Sequence, residues 1–150
     1  MIYSLKKEVV LLKYMCELII NKNREKVVKE FINHEHMHLW QKSLKEVRLV
    51  SGEIKQPGSL VHLIYQIGQT EMIMREKFII NDSPYLFVID YEVDGVWNRC
   101  VNFFIENEDQ TLWIMESEFK FDDDTELPKS SFEEKTLLSM NAFKEYIEGI

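Results

Sequence analysis

The sequence predicts an α+β fold of order β-α-α-β6-α, in which a curved antiparallel sheet wraps round a long C-terminal helix. Three observations carry this expectation. First, residues 130–149 place Phe132, Thr136, Met140, Phe143 and Ile147 at steps of three and four, the period of one helical face. Second, from Leu44 onward the apolar period falls to two, and turn signals recur about every ten residues, the pattern of short antiparallel strands. Third, the stripe on the last helix is broad, flanked by Leu137, Leu138 and Tyr146. A stripe that broad requires a concave apolar partner, which only a curved upstream sheet supplies.

The elements follow in order. Residues 1–12 precede the first strand signal, at 13–20. Two readings stand for them. They extend that strand or pack on a neighbouring subunit of a homodimer; or translation begins later, Leu12 being a UUG start behind a purine-rich Lys-Glu-Val-Val stretch, so that 1–12 are a start-site artefact. Asn21-Lys22-Asn23 reads as a turn and N-cap, after which residues 24–32 set Val27, Val28, Phe31 and Ile32 at helical spacing. A second short helix, residues 35–42, carries Met37 and Trp40 inward. Pro57-Gly58 closes a strand over 47–54, and Gly68-Gln69 divides 60–67 from 70–80. Asn81-Asp82-Ser83-Pro84 ends the latter, and Asp94-Gly95, the strongest hairpin signal in the chain, joins 85–93 to 96–105. A polar turn, 106–110, leads to the last strand, 111–121, and then to an acidic loop over 122–129. Ser130 and Ser131 stand three residues before Glu133 and Glu134, a capping-box pattern, with Pro128 upstream where it costs no helical hydrogen bond. Internal repeats and low-complexity linkers are absent from the sequence, so residues 1–150 are expected to form one domain.

Composition narrows the function classes. The net charge is −8, and Lys6, Lys7, Lys13, Lys22 and Lys26 are scattered, which argues against nucleic acid and against an anionic membrane surface as partners. No run of about 20 apolar residues exists, so stable membrane insertion is not expected, and the Lys-rich start lacks the apolar run and cleavage site of a secretory signal. Cys16 and Cys100 lie in apolar stretches without metal spacing and read as reduced core residues of a cytoplasmic protein.

Strand parity selects the concave wall. Glu116, Glu118 and Lys120 must face water, which sends Trp113, Met115, Ser117 and Phe119 inward. By the same reasoning Met72, Met74 and Glu76 face in, as do Val61, Leu63 and Tyr65, and Phe87, Ile89 and Tyr91. Keeping Arg99 out of the interior turns Asn98, Cys100, Asn102 and Phe104 inward. With Met140 and Phe143 from the helix, the wall is large, apolar and aromatic, with a few polar groups. That is the composition of a small-molecule pocket and equally of an ordinary core with satisfied polar groups.

Two motifs bear on chemistry. Asn33-His34-Glu35-His36-Met37-His38 invites a metal reading, but residues two apart on a helix diverge and no distant ligand motif completes a set, so these histidines are expected at the surface and no metal is expected. Glu76 is the one acid on the concave face. It is a weak candidate for a general acid or base, weighed against a structural bond to Asn98, Asn102 or backbone, and no His or Lys is expected to share its face. Neither a nucleophile elbow nor a phosphate loop is present, and no cofactor is implied.

Several segments resemble one family. Asn33-His34-Glu35-His36-Met37-His38-Leu39-Trp40 is similar to the N-x-E-x-M-x-x-W segment of bacterial START-like (SRPBCC) proteins. Similar too are Glu71 to Glu76, Gly95-Val96-Trp97-Asn98 with Asn102 and Phe104, Thr111-Leu112-Trp113, Glu118-Phe119-Lys120-Phe121, and the closing Met140-x-x-Phe143-Lys144. The resemblance implies the helix-grip fold, with an elongated cavity between sheet and helix. It implies a hydrophobic small molecule as partner (a lipid, a polyketide-like or an aromatic compound), carried or sensed, or, in the polyketide cyclase/dehydratase type, acted upon. A third alternative is an interaction module with a filled core. The family supplies no universal catalytic residues to carry over. The expected binding residues are Tyr65, Met72, Met74, Glu76, Phe87, Tyr91, Asn98, Asn102, Trp113, Met115, Ser117, Met140 and Phe143.

Overall fold

The computed structural model describes residues 10–122 and 129–150. The elements are β1 (Val10–Ile20), α1 (Arg24–Phe31), a 3-10 turn at Met37–Leu39, β2 (Leu44–Ser51), β3 (Leu60–Ile67), β4 (Thr70–Asp82), β5 (Leu86–Val93), β6 (Val96–Asn107), β7 (Gln110–Phe121) and α2 (Lys129–Glu148). They form one antiparallel sheet of seven strands in the order β1-β7-β6-β5-β4-β3-β2. The chain runs β2 to β7 as a meander and lays β1 against the far edge of β7, in register from Val10↔Phe121 to Ile20↔Thr111. This is the helix-grip arrangement, with α2 across the concave face. The start-site reading of the N-terminal segment, Pro128 and most of the acidic loop fall outside the described residues.

Local chemistry explains the boundaries. Asn23 caps α1, its side-chain oxygen accepting from Lys26 N at 2.9 Å. Gly95 takes φ 75 at the β5–β6 hairpin, a conformation that strains any residue with a Cβ. Where a second short helix is expected, only the single 3-10 turn forms. Asn33 Oδ1 accepts from Glu35 N at 3.0 Å, an Asx turn that holds the backbone out of an α-helix there. β4 carries a bulge between Phe78 and Ile80, past the inward residues Met72, Met74 and Glu76, so their parity holds.

Both cysteines are buried and free. Trp97 lies on the outer face, with Lys120 Nζ 4.6 Å and Arg99 Cζ 5.3 Å from its ring. Leu137 and Leu138, expected to flank the helix stripe, are 38% and 71% exposed, because the inward face of α2 centres on Met140, Phe143 and Ile147.

The interior between sheet and α2 has two unlike ends. At one, Phe31 from α1 sits within 5.0 Å of Phe104, 5.4 Å of Trp113 and 5.9 Å of Phe143, ring centre to ring centre. Phe87, Phe143, Met140 and Ile147 are wholly buried around this stack. At the other end Tyr14, Met74, Met115, Phe119 and Phe132 are less tightly enclosed and leave a hollow.

Candidate functional site

The hollow measures about 530 Å³ and lies between the inner face of β1, β3–β7, the first half of α2 and the segment from Phe31 to Ser43. Its floor is aromatic: Phe31, Trp40, Trp113, Phe119 and Phe132. On α2 it meets Phe132, Lys135, Thr136 and Ser139, four residues at one helical face. Gln41 and Ser43 face them from the other side.

The expected site residues divide into five groups. Tyr65, Met74, Tyr91, Asn98, Asn102, Trp113 and Met115 line the hollow together. Glu76 lies behind Tyr91, in a separate void of about 20 Å³. Ser117 is buried beneath Asn98, accepting from its Nδ2 at 3.0 Å. Met72 packs with Leu44, Leu63 and Tyr65 in a satellite cluster, while Phe87, Met140 and Phe143 belong to the solid end.

The orienting role expected of the two asparagines meets a constraint. Asn98 Nδ2 also donates to the Glu118 carbonyl at 3.1 Å, and its Oδ1 accepts from Cys100 Sγ. Asn102 Oδ1 accepts from Trp113 Nε1 at 3.1 Å, while its Nδ2 donates to the Phe87 carbonyl at 3.4 Å. Both amides are therefore largely spent on holding the sheet and Trp113.

Glu76 and His34 correct the expectations made of them. Glu76 is 1% exposed and His34 5% exposed, and His34 Nε2 meets Glu76 Oε1 at 2.5 Å. His34 is thus not a surface histidine, and the partner of Glu76 is neither asparagine. Parity along a strand shows which of its own residues face in, but not what an irregular segment between helix and turn sets against them. The remaining histidines of the motif behave otherwise: His36 Nδ1 pairs with Glu30 Oε2 at 2.8 Å with its side chain 43% exposed, and His38 is exposed. Among the described residues no three His, Cys, Asp or Glu side chains converge on a metal geometry.

Electrostatics at the hollow favour neutral groups. Burial first, and then the neighbouring Glu76, hold the Tyr91 phenol well above its ordinary value and raise that of Tyr65. Burial pushes the Cys100 thiol up to about 12, so it is a core thiol and not a nucleophile. Tyr14 is raised chiefly by burial, against the lowering effect of its bond to Thr136 Oγ1 at 2.6 Å. Lys135 is the one charged side chain among the described lining residues.

Tyr14, Gln41, Ser43, Lys135 and Ser139 were not among the expected site residues. Alternation of Tyr14, Cys16 and Leu18 with Lys13, Met15 and Glu17 carried the signal for the first. The four-residue face of α2 carried it for Lys135 and Ser139. Gln41 and Ser43 lie in an irregular segment without periodicity.

No known family's sequence pattern matches the chain, and no curated protein matches it. Solved structures do match in shape. The chain superposes on Ara h 8.0201 with TM-score 0.82 at 11% identity, covering 94% of this chain and 100% of that one. Norcoclaurine synthase from Thalictrum flavum gives 0.71 at 14%, covering 93% and 87%, and a structure of it holds dopamine and hydroxybenzaldehyde. A protein of unknown function from Staphylococcus aureus gives 0.78 at 11%, covering 95% and 96%. These likenesses agree with the helix-grip fold described above.

Proposed function

We propose that this chain, START-like in its helix-grip fold, binds an apolar small molecule between its sheet and α2, as a carrier or sensor. One observation carries the reading: a hollow of about 530 Å³ walled by aromatic and methionine side chains, with few unspent polar groups. Ligand sites have this size, about 300–1,000 Å³, and this lining. Lipid, polyketide-like and aromatic molecules all fit such a wall. A filled-core interaction module is disfavoured, since a core of this composition would close the space.

A second reading, an enzyme of cyclase or dehydratase type, is favoured by the buried Glu76–His34 pair behind Tyr91. In that reading Tyr91 touches the ligand and Glu76 acts through it, because Glu76 does not itself line the hollow. The neighbour norcoclaurine synthase is an enzyme by name, which keeps this reading in view.

A cytoplasmic location is part of this proposal, and the two cysteines, buried and free, support it. The proposal leaves a homodimer through the outer sheet face, where Met15, Ile19, Ile80 and Ile105 are 58%, 49%, 43% and 46% exposed, to be tested by sedimentation velocity. Native mass spectrometry of the purified protein, followed by analysis of released small molecules, tests the main reading. A stoichiometric apolar compound is the expected result. A chain that carries nothing and takes up no aromatic probe would refute it.

A further inference from the structure

Three of the residues that line the hollow are exposed: Ser43, Lys135 and Ser139. They mark its mouth. The other lining residues are buried or half-buried, and none of them carries a formal charge. At the inner end Phe31, Trp40, Gln41 and Tyr91 line both the hollow and the void of about 20 Å³ that holds Glu76 and His34, and so form the partition between the two spaces. The hollow is thus polarised, neutral and largely aromatic within, polar and cationic at the mouth. One ring contact ties the two sides of that mouth together. Trp40 meets Phe143 of α2 at 5.0 Å, ring centre to ring centre. Ser139 stands one helical turn before Phe143, and Lys135 one turn before Ser139, about 6 Å per step along the axis. Gln41 and Ser43 follow Trp40 directly and lie beside the same stretch of α2.

The groups left unspent at this rim are donors. Gln41 Oε1 accepts from the Tyr65 hydroxyl at 2.5 Å, which turns Nε2 the other way. That nitrogen has no hydrogen-bond partner among the described residues and, unlike Trp40 Nε1, is not shut away from solvent. Lys135 forms no ion pair among the described residues. Deeper in, the amides of Asn98 and Asn102 are bonded to the sheet and to Trp113, and the Tyr14 hydroxyl donates to the Phe132 carbonyl at 3.2 Å.

We propose that the ligand of this hollow is an amphiphilic monocarboxylate, with its apolar body inside and its carboxylate at the mouth, where Lys135 and Gln41 Nε2 donate to it. This rests on the small-molecule reading above and names the head group within it. A carboxylate only accepts, which suits a rim whose unspent groups are N–H donors. Its charge stays at the wet end, so it escapes the cost of burial in the aromatic interior. There it meets the one charged side chain among the described lining residues, and a hydrogen bond between two ions is stronger than a neutral one. An ammonium head would meet Lys135 with like charge. A hydrocarbon would leave both donors unused.

The test compares four probes of one skeleton on the intact chain: naphthylbutyrate, its methyl ester, naphthylbutylammonium and butylnaphthalene. Binding is read by calorimetry and by tryptophan fluorescence. The carboxylate should bind about tenfold more tightly than the ester, and the ammonium should bind most weakly. Lys135→Met keeps an apolar stem at an exposed position and should lower the carboxylate to the ester's affinity while leaving the ester unchanged. Gln41→Met should weaken carboxylate and ester alike, since both present a carbonyl oxygen, and leave butylnaphthalene unchanged. An ester or hydrocarbon that binds as tightly as the carboxylate would overturn the inference and leave the cavity reading standing, as would a carboxylate affinity that Lys135→Met does not change. Failure of all four probes would overturn both.

Discussion

The two ends of the interior are built from the same kinds of residue and behave differently. At the solid end Phe31, Phe104, Trp113 and Phe143 interlock, with Phe104 stacked on Trp113 at 5.6 Å and Trp113 edge-on to Phe143 at 5.5 Å. At the hollow end Phe119 and Phe132 contact each other at 5.0 Å and lean on Phe121 and Tyr14, along the wall instead of across the space. The difference lies in what inserts between sheet and α2. Phe31, on the last turn of α1, fills one end. Opposite the other end stand Gln41 and Ser43, on irregular chain with short polar side chains, and the space stays open. Aromatic content alone therefore does not distinguish a core from a pocket. The third wall does.

Truncation at the two ends should separate them most clearly. Phe143→Ala removes a wholly buried ring that touches Phe31, Trp40 and Trp113, and should cost about 3–5 kcal/mol in urea unfolding. Phe132→Ala, at the hollow end, should cost only about 1 kcal/mol and enlarge the space for a ligand. Equal costs would mean that the hollow end is packed as tightly as the other.

The His34–Glu76 pair tests whether the partition is structural. Removing one partner strands the other in the interior, so His34→Leu or Glu76→Leu alone should each cost about 3–5 kcal/mol. The double replacement should cost less than either single change, because it leaves no buried group unpaired. Additive losses in that cycle would show that the two side chains do not depend on each other.

Alkaline titration gives a smaller effect with a definite sign. Tyr14, Tyr65, Tyr91 and Cys100 all have raised values in the fold, so the native state keeps protons that the unfolded chain releases. Their contribution is fully present below the ordinary values of 10.0 for tyrosine and 9.0 for cysteine, and is lost as pH rises beyond them. The unfolding midpoint should therefore fall above pH 9.0, and Cys100 should resist alkylation there until the protein unfolds. Rapid labelling of Cys100 in the folded protein would contradict this. The smallest expected effect is at the outer side of α2, where Leu138, 71% exposed, should tolerate Leu138→Ser within about 0.5 kcal/mol.

Much of this was legible in the residues alone. Period two and period 3.6 are set by backbone geometry, so the alternation of Trp113, Met115, Ser117 and Phe119 and the spacing of Met140, Phe143 and Ile147 gave their inward faces directly. Turn chemistry did the same at Asp94-Gly95, because few residues accept a positive φ. Those signals determined a curved antiparallel meander, its concave side chains and the helix that crosses them. They are local, each depending only on near neighbours in the chain. Tertiary structure alone decided what the irregular segment from His34 to Ser43 brings against that wall. It buries His34 on Glu76, leaves Trp40 Nε1 without a hydrogen-bond partner among the described residues and sets Gln41 and Ser43 opposite the open end. No period governs such a segment. Its positions follow from contacts with residues distant in the chain, and with them follows which end of the interior is filled.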